Sequence, residues 1–147
     1  MTRRFGSSMT GLVALVVLIT TVCSGSLGES FPIQAAQEQR IDIMIRNYEF
    51  ILAQPVPLRV GIPTVIILRN QDIVRHGFTS PILAQLNLRV EGEGIVAYGK
   101  GLAGLYVDPG KTVVIYLTTE RSGSFTFRCD LHPQMKGELF ALEIPAA

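Results

Sequence analysis

Residues 123–129 read Gly-Ser-Phe-Thr-Phe-Arg-Cys, and their alternation decides the fold class. Phe125, Phe127 and Cys129 fall on one face and Ser124, Thr126 and Arg128 on the other, the two-residue period of a half-buried β-strand. The same period recurs on either side. In RIDIMIR, residues 40–46, Ile41, Ile43 and Ile45 alternate with Asp42, Met44 and Arg46. TVIIL, residues 64–68, is a β-branched run after Gly61-Ile-Pro63 and predicts a more buried strand. Lys111 to Glu120 follows the turn signal Asp108-Pro-Gly110. ELFALEIP, residues 138–145, alternates Phe140, Leu142 and Ile144 against Leu139, Ala141 and Glu143. Beyond residue 28 no stretch sustains a helical period. Short strands separated by Gly and Pro turns predict an all-β sandwich or barrel.

At 147 residues, with 48% hydrophobic and 17% charged side chains, the chain is long enough for one such domain and short for two. Its start is built differently. Arg3 and Arg4 precede an apolar run, Gly11 to Val22, that ends in the small residues CSGSLG. A basic start, an apolar centre too short to span a bilayer comfortably and a small-residue end describe a secretory signal. Residues 1–28 are therefore expected to direct the chain out of the cytoplasm, to the periplasm or the medium, with cleavage favoured over retention as a membrane tether. Lipid attachment at Cys23 calls for a small residue before it, where Val22 stands. Residues 29–39, ESFPIQAAQEQ, carry no period and read as a flexible tether, leaving 40–147 as the domain. Losing Arg3 and Arg4 takes 13 basic residues to 11, against 12 acidic ones, a net charge of −1 that argues against a nucleic-acid partner. Cleavage also leaves Cys129 as the sole cysteine, so no internal disulfide can form.

That cysteine opens the stretch Cys-Asp-Leu-His-Pro-Gln-Met-Lys-Gly, residues 129–137. Cys129, His132 and Met135 stand three positions apart, and each carries a lone pair a soft metal can use. By strand parity the thiol emerges on the core side, just where the chain enters its loop. The other histidine, His76, lies in NQDIVRHGF, with His76 and Phe78 on one face. Taken singly, each reads as an ordinary core or surface side chain. Two imidazoles, a thiolate and a thioether together are the ligand set of a type 1 copper site, trigonal with a weak axial methionine. Zinc would accept the cysteine and histidines but gains little from the methionine. The expected cofactor is one copper ion cycling between Cu(I) and Cu(II), and the expected function is electron transfer.

From Arg40 to Ile144 the chain resembles the cupredoxin family. The likeness rests on VIILRN leading to the first histidine, the glycine-preceded GSFTFRC strand, Cys-x2-His-x2-Met with proline after the histidine, Lys136-Gly137 and a final apolar strand. The short ligand loop is similar to that of amicyanin, whereas plastocyanin-type loops place two more residues between histidine and methionine. The resemblance implies a Greek-key β-sandwich or barrel, His76, Cys129, His132 and Met135 as the copper ligands, and His132 as the electron port. Asn70 matches an asparagine often seen before the first-ligand loop. The resemblance further implies a monomer that exchanges electrons with redox proteins of cytochrome or dehydrogenase and oxidase type. Ile82, Leu83 and Pro133 are candidates for an apolar docking rim. Arg75, Arg128 and Lys136 flank the ligands and would steer an acidic partner. Gly77 departs from the pattern, standing where plastocyanin and amicyanin have asparagine, so side-chain bracing of the two ligand loops is expected to be missing. Gln134 stands where amicyanin has an aromatic residue.

Other chemistries fit less well. Gly99-Lys-Gly-Leu-Ala-Gly104 matches a nucleotide-binding fingerprint, but no helix pattern follows it, and it reads as a loop. Copper oxidases and nitrite reductases need further histidines for a second centre, and the chain has two in all. A cysteine nucleophile lacks an evident orienting partner. The alternative of another class is a periplasmic copper carrier that binds the metal without shuttling electrons.

Overall fold

The computed structural model describes residues 37–143; the expected signal segment and most of the expected tether lie outside them. Eleven strands follow in order: β1 Gln39–Arg46, β2 Glu49–Leu52, β3 Leu58–Arg59, β4 Pro63–Asn70, β5 His76–Phe78, β6 Asn87–Gly92, β7 Ile95–Lys100, β8 Leu105–Val107, β9 Thr112–Thr118, β10 Gly123–Arg128 and β11 Lys136–Leu142. A single 3₁₀ turn, Pro81–Leu83, interrupts them. Six strands form one sheet in the order β2-β1-β4-β9-β6-β7, three form a second, β10-β11-β3, and β5 pairs with β8. β1 lies parallel to β4 and β3 parallel to β11, while the remaining pairs are antiparallel. The architecture is an open sandwich rather than a closed barrel. β1 begins at Gln39, inside the stretch expected to be tether, because the Gln39 amide group bonds Thr64 and the Arg59 backbone.

The inner faces follow the period read from the sequence. Ile41, Ile43 and Ile45 are buried on β1, and every residue from Thr64 to Leu68 is buried on β4, the sheet's interior strand. Ile41, Ile43, Ile66, Leu68, Ile115 and Leu117 of the large sheet share one core with Leu58, Phe127, Leu139 and Ala141 of the small one. On β11 the buried set is Leu139 and Ala141, while Phe140 and Leu142 are half exposed. Register explains the choice. Directly paired residues share a face, and Phe125 pairs with Leu139 while Phe127 pairs with Gly137. The inward phenylalanines of β10 thus decide which face of β11 goes inside.

Residues 83–106, unreadable by period, contain the β6–β7 hairpin. Its turn sits at Glu93 and Gly94, both with positive φ (50° and 77°), as a two-residue turn matched to strand twist requires. Of Gly99–Gly104, expected to be loop throughout, Gly99 and Lys100 instead end β7, paired with Leu88 and Asn87, while Gly101 to Gly104 is loop. Ile82 and Leu83, expected at a docking rim, are buried instead. The Ser80 hydroxyl caps the 3₁₀ turn and bonds the Thr126 carbonyl, which turns both side chains into the core.

Two predictions follow from this packing. A Cβ at Gly137 would overlap the Phe127 ring, so Gly137→Ala is expected to destabilise the domain by about 1–3 kcal/mol through overpacking, read from denaturant unfolding. At the solvent face of β1, the Arg40 guanidinium bonds the Asp42 carboxylate at 2.8 and 3.2 Å and Arg69 approaches at 3.6 Å, holding its carboxyl below the ordinary range. A carboxyl depressed by folding stabilises the domain above its unfolded pKa and ceases to do so as pH falls through the folded one. Asp42→Asn should therefore be less stable than wild type at neutral pH, with the gap closing in acid.

Candidate metal centre

Two loops at one end of the sandwich supply the site. His76 opens β5, directly after the loop that follows β4; Cys129 directly follows β10; His132 and Met135 belong to the turn into β11. The structure brings together His76, Cys129 and His132, whose donor atoms lie within 4.8 Å of one another. Nδ1 of His76 is 3.9 Å and Nδ1 of His132 3.5 Å from the Cys129 sulfur. With metal–sulfur and metal–nitrogen bonds near 2.3 and 2.05 Å, donors around one ion stand about 3.5–3.8 Å apart. The donor set therefore fits one soft or borderline metal ion, copper included. Met135 is buried in a small cluster with Cys129 and Ile45.

The local chain explains the placement. The Met135 N–H donates to the His132 carbonyl (2.9 Å) and the Cys129 N–H to the Met135 carbonyl (3.1 Å), so the seven residues from 129 to 135 close on themselves. His76 and Cys129 are buried, and His132 is half-buried at the rim. The Gly77 N–H donates to the Cys129 sulfur at 3.1 Å, joining the two loops. A Cβ at Gly77 would sit 3.0 Å from the Asp130 nitrogen, so a side chain here would require the Asp130 backbone to shift by a few tenths of an ångström. Bracing by side chains is nonetheless present, contrary to expectation: the Thr79 hydroxyl bonds the Asp130 carboxylate, beside a reciprocal backbone pair between Thr79 and Arg128 (3.0 Å each way).

Behind His76 lies Asn70, buried in β4. Its amide group donates to the carbonyls of Val74 (2.8 Å) and Val107 (2.9 Å), and its oxygen accepts from the Asp72 N–H (2.9 Å). The loop leading to His76 is thus wound around one side chain. Asp72 and Tyr48, which sequence reading did not single out, complete the surroundings. The Asp72 carboxylate is 2.9 Å from Nε2 of His76. Burial pushes this carboxyl up, but bonds from the Tyr48 and Asn47 N–H groups and from His76 outweigh that and hold it below the usual range. The Tyr48 ring stands edge-on to both imidazoles, with centroids 5.5 Å from His76 and 4.9 Å from His132. An acid four residues before a histidine, and tyrosine where a tight hairpin turn favours glycine, were the available signals.

Two of the three flanking cations have acidic neighbours, while Lys136 is exposed and pairs with no carboxylate among the described residues. Arg75 pairs with Asp108 at 2.5 Å, and Arg128 lies 3.6 Å from Asp130. Both positive charges have acidic neighbours because Asp108 and Asp130 occupy the adjoining turns.

Solved structures match this arrangement of strands. McoA, a multicopper oxidase from the hyperthermophile Aquifex aeolicus, superposes with a TM-score of 0.53 at 18% identity, over 74% of this chain and 30% of that one. A second multicopper oxidase gives 0.52 at 13% identity, over 74% and 45%. The fold is that of a cupredoxin. A copper(I) form of an amicyanin variant aligns over 74% of this chain and 87% of its own at 19% identity, with a TM-score of 0.44. The chain spans less than half the length of the multicopper oxidases it matches. No protein-family model and no curated protein matches the sequence.

Removing the Asn70 side chain takes a donor from the buried Val107 carbonyl and from the part-buried Val74 carbonyl. Asn70→Ala should cost about 1–3 kcal/mol of unfolding free energy for each carbonyl left without a donor, measured by denaturant titration with an unchanged m-value.

Proposed function

We propose that the protein is a type 1 copper electron carrier that works outside the cytoplasm and is not an enzyme. The observation that carries this reading is the convergence of both Nδ1 atoms on the buried Cys129 sulfur, with Met135 packed beside it. His76, Cys129, His132 and Met135 are the proposed ligands. Bound copper would supply a one-electron couple.

The residues do the rest by holding still. The closed turn from Cys129 to Met135, the Gly77 bond to sulfur and the Thr79–Asp130 brace fix the donors before any ion arrives, which limits rearrangement when charge changes. His132, half-buried, is the proposed port to a redox partner. Ile73, which is 92% exposed, with Leu131 and Pro133, presents apolar surface on the two ligand loops for brief docking. A second copper centre of the oxidase kind lacks donors, since both histidines of the chain are already in this site.

The test is one equivalent of Cu(II) added to the purified protein, followed by visible absorption and electron paramagnetic resonance. An intense thiolate-to-copper band with narrow hyperfine splitting, bleached by ascorbate, restored by oxidant and absent in Cys129→Ser, is the expected result. A weak, ordinary Cu(II) spectrum that Cys129→Ser leaves unchanged rejects the reading. A band that appears, but whose metal departs to a Cu(I) chelator on reduction, favours the copper carrier instead.

A further inference from the structure

One carboxylate at the site has three partners. Asp72 Oδ1 accepts the Asn47 N–H at 2.7 Å; Oδ2 accepts the Tyr48 N–H at 3.0 Å and faces His76 Nε2 at 2.9 Å. Its side chain is 11% exposed, and its own N–H is fixed by Asn70. Asn47 and Tyr48 are the two residues of the β1–β2 turn, both with positive φ (54° and 59°). In that conformation the two turn N–H groups point the same way, and the carboxylate receives both.

We propose that Asp72 is the positioning residue of the metal centre: it sets the tautomer of His76 and, through the β1–β2 turn, seats Tyr48 over both imidazoles. An ionised carboxylate only accepts hydrogen bonds. Facing it, neutral His76 must carry its proton on Nε2, which leaves the Nδ1 lone pair directed at the Cys129 sulfur and the shared metal position. A carboxylate behind an imidazole also strengthens the donor nitrogen, favouring the more highly charged metal state. The same anion holds the turn from which the Tyr48 ring covers the two histidines edge-on, with its other side toward solvent. Orientation of the buried ligand and cover of the rim ligand therefore share one anchor.

The inference rests on the metal-site reading only in its second half, so two measurements separate them. In the metal-free, isotope-labelled full chain, nuclear magnetic resonance is expected to show His76 as the Nε2–H tautomer, with that proton protected from exchange and the Tyr48 ring close to His76 and His132. In Asp72→Ala, and in Asp72→Leu should the alanine variant fail to fold, protection of the His76 proton and the Tyr48–His132 proximity are lost, while Tyr48→Phe keeps both. In the copper-loaded protein, Asp72→Asn is expected to raise the Cu(I) to Cu(II) ratio at a fixed applied potential about tenfold, equivalent to about 59 mV for one electron. A merely structural role would not move that ratio in a folded variant. Unchanged exchange and ring contacts in the variants, or an unchanged ratio in a blue protein, overturns the proposal. A wild-type chain that forms no thiolate band rejects the copper reading alone, and the metal-free spectra then decide the role of Asp72.

Discussion

The site depends on the junction where the Gly77 N–H meets the Cys129 sulfur. These residues are 52 positions apart, Gly77 on β5 and Cys129 just past the end of β10 in another sheet, so the entropy of closing that long loop must be offset by contacts nearby. The core supplies them directly beneath. Phe78, next to Gly77, stacks on Phe127 with centroids 5.2 Å apart, and Phe50 meets both rings edge-on. Phe127 in turn lies over Gly137, whose missing side chain gives the ring its space. Phe50 also packs against the small cluster of Ile45, Cys129 and Met135, so the core that holds the sheets together extends through this ring to the thiol.

A site so supported has little freedom left. Cys129 is fixed from its own turn by the Met135 carbonyl and across the junction by Gly77; His76 is fixed from behind by Asp72. His132, half-buried, is the donor least enclosed by protein, and Tyr48 is what stands against it. Arg75 and Arg128 have acidic neighbours, so this end of the domain carries apolar loop residues and a rim in which two of the three flanking cations are paired. On the electron-carrier reading, such a rim suits brief encounters selected by shape more than by long-range attraction.

Much of this was legible in the chain because it is periodic or chemically rare. Ile41, Ile43 and Ile45 alternate cleanly, and a cysteine, two histidines and a methionine are too specific a set to hide. What stayed hidden depends on pairing. ELFALEIP has apolar residues on both faces, so only its register against β10 shows that Leu139 and Ala141 go inside. Ile82 and Leu83 look like rim residues until the Ser80 cap turns them inward. The β6–β7 hairpin was obscured by glycines whose role is to turn rather than to loosen. Asp72 is one acid among 12, and only its three hydrogen bonds distinguish it.

Tyr48 breaks a local rule: a bulky residue in the left-handed region costs on the order of 1–2 kcal/mol, which glycine would avoid. Places where local preference loses to the surrounding structure tend to be functional or strained ones. Here the opposing forces can be named. The turn's two N–H groups are captured by an anion, and the ring gains edge-on contact with two imidazoles. Glycine at this position would relieve the backbone but leave the imidazoles uncovered. The strain at residue 48 is therefore offset from two directions: Asp72 holds the turn and bonds His76, and the Tyr48 ring packs on both imidazoles of the candidate site.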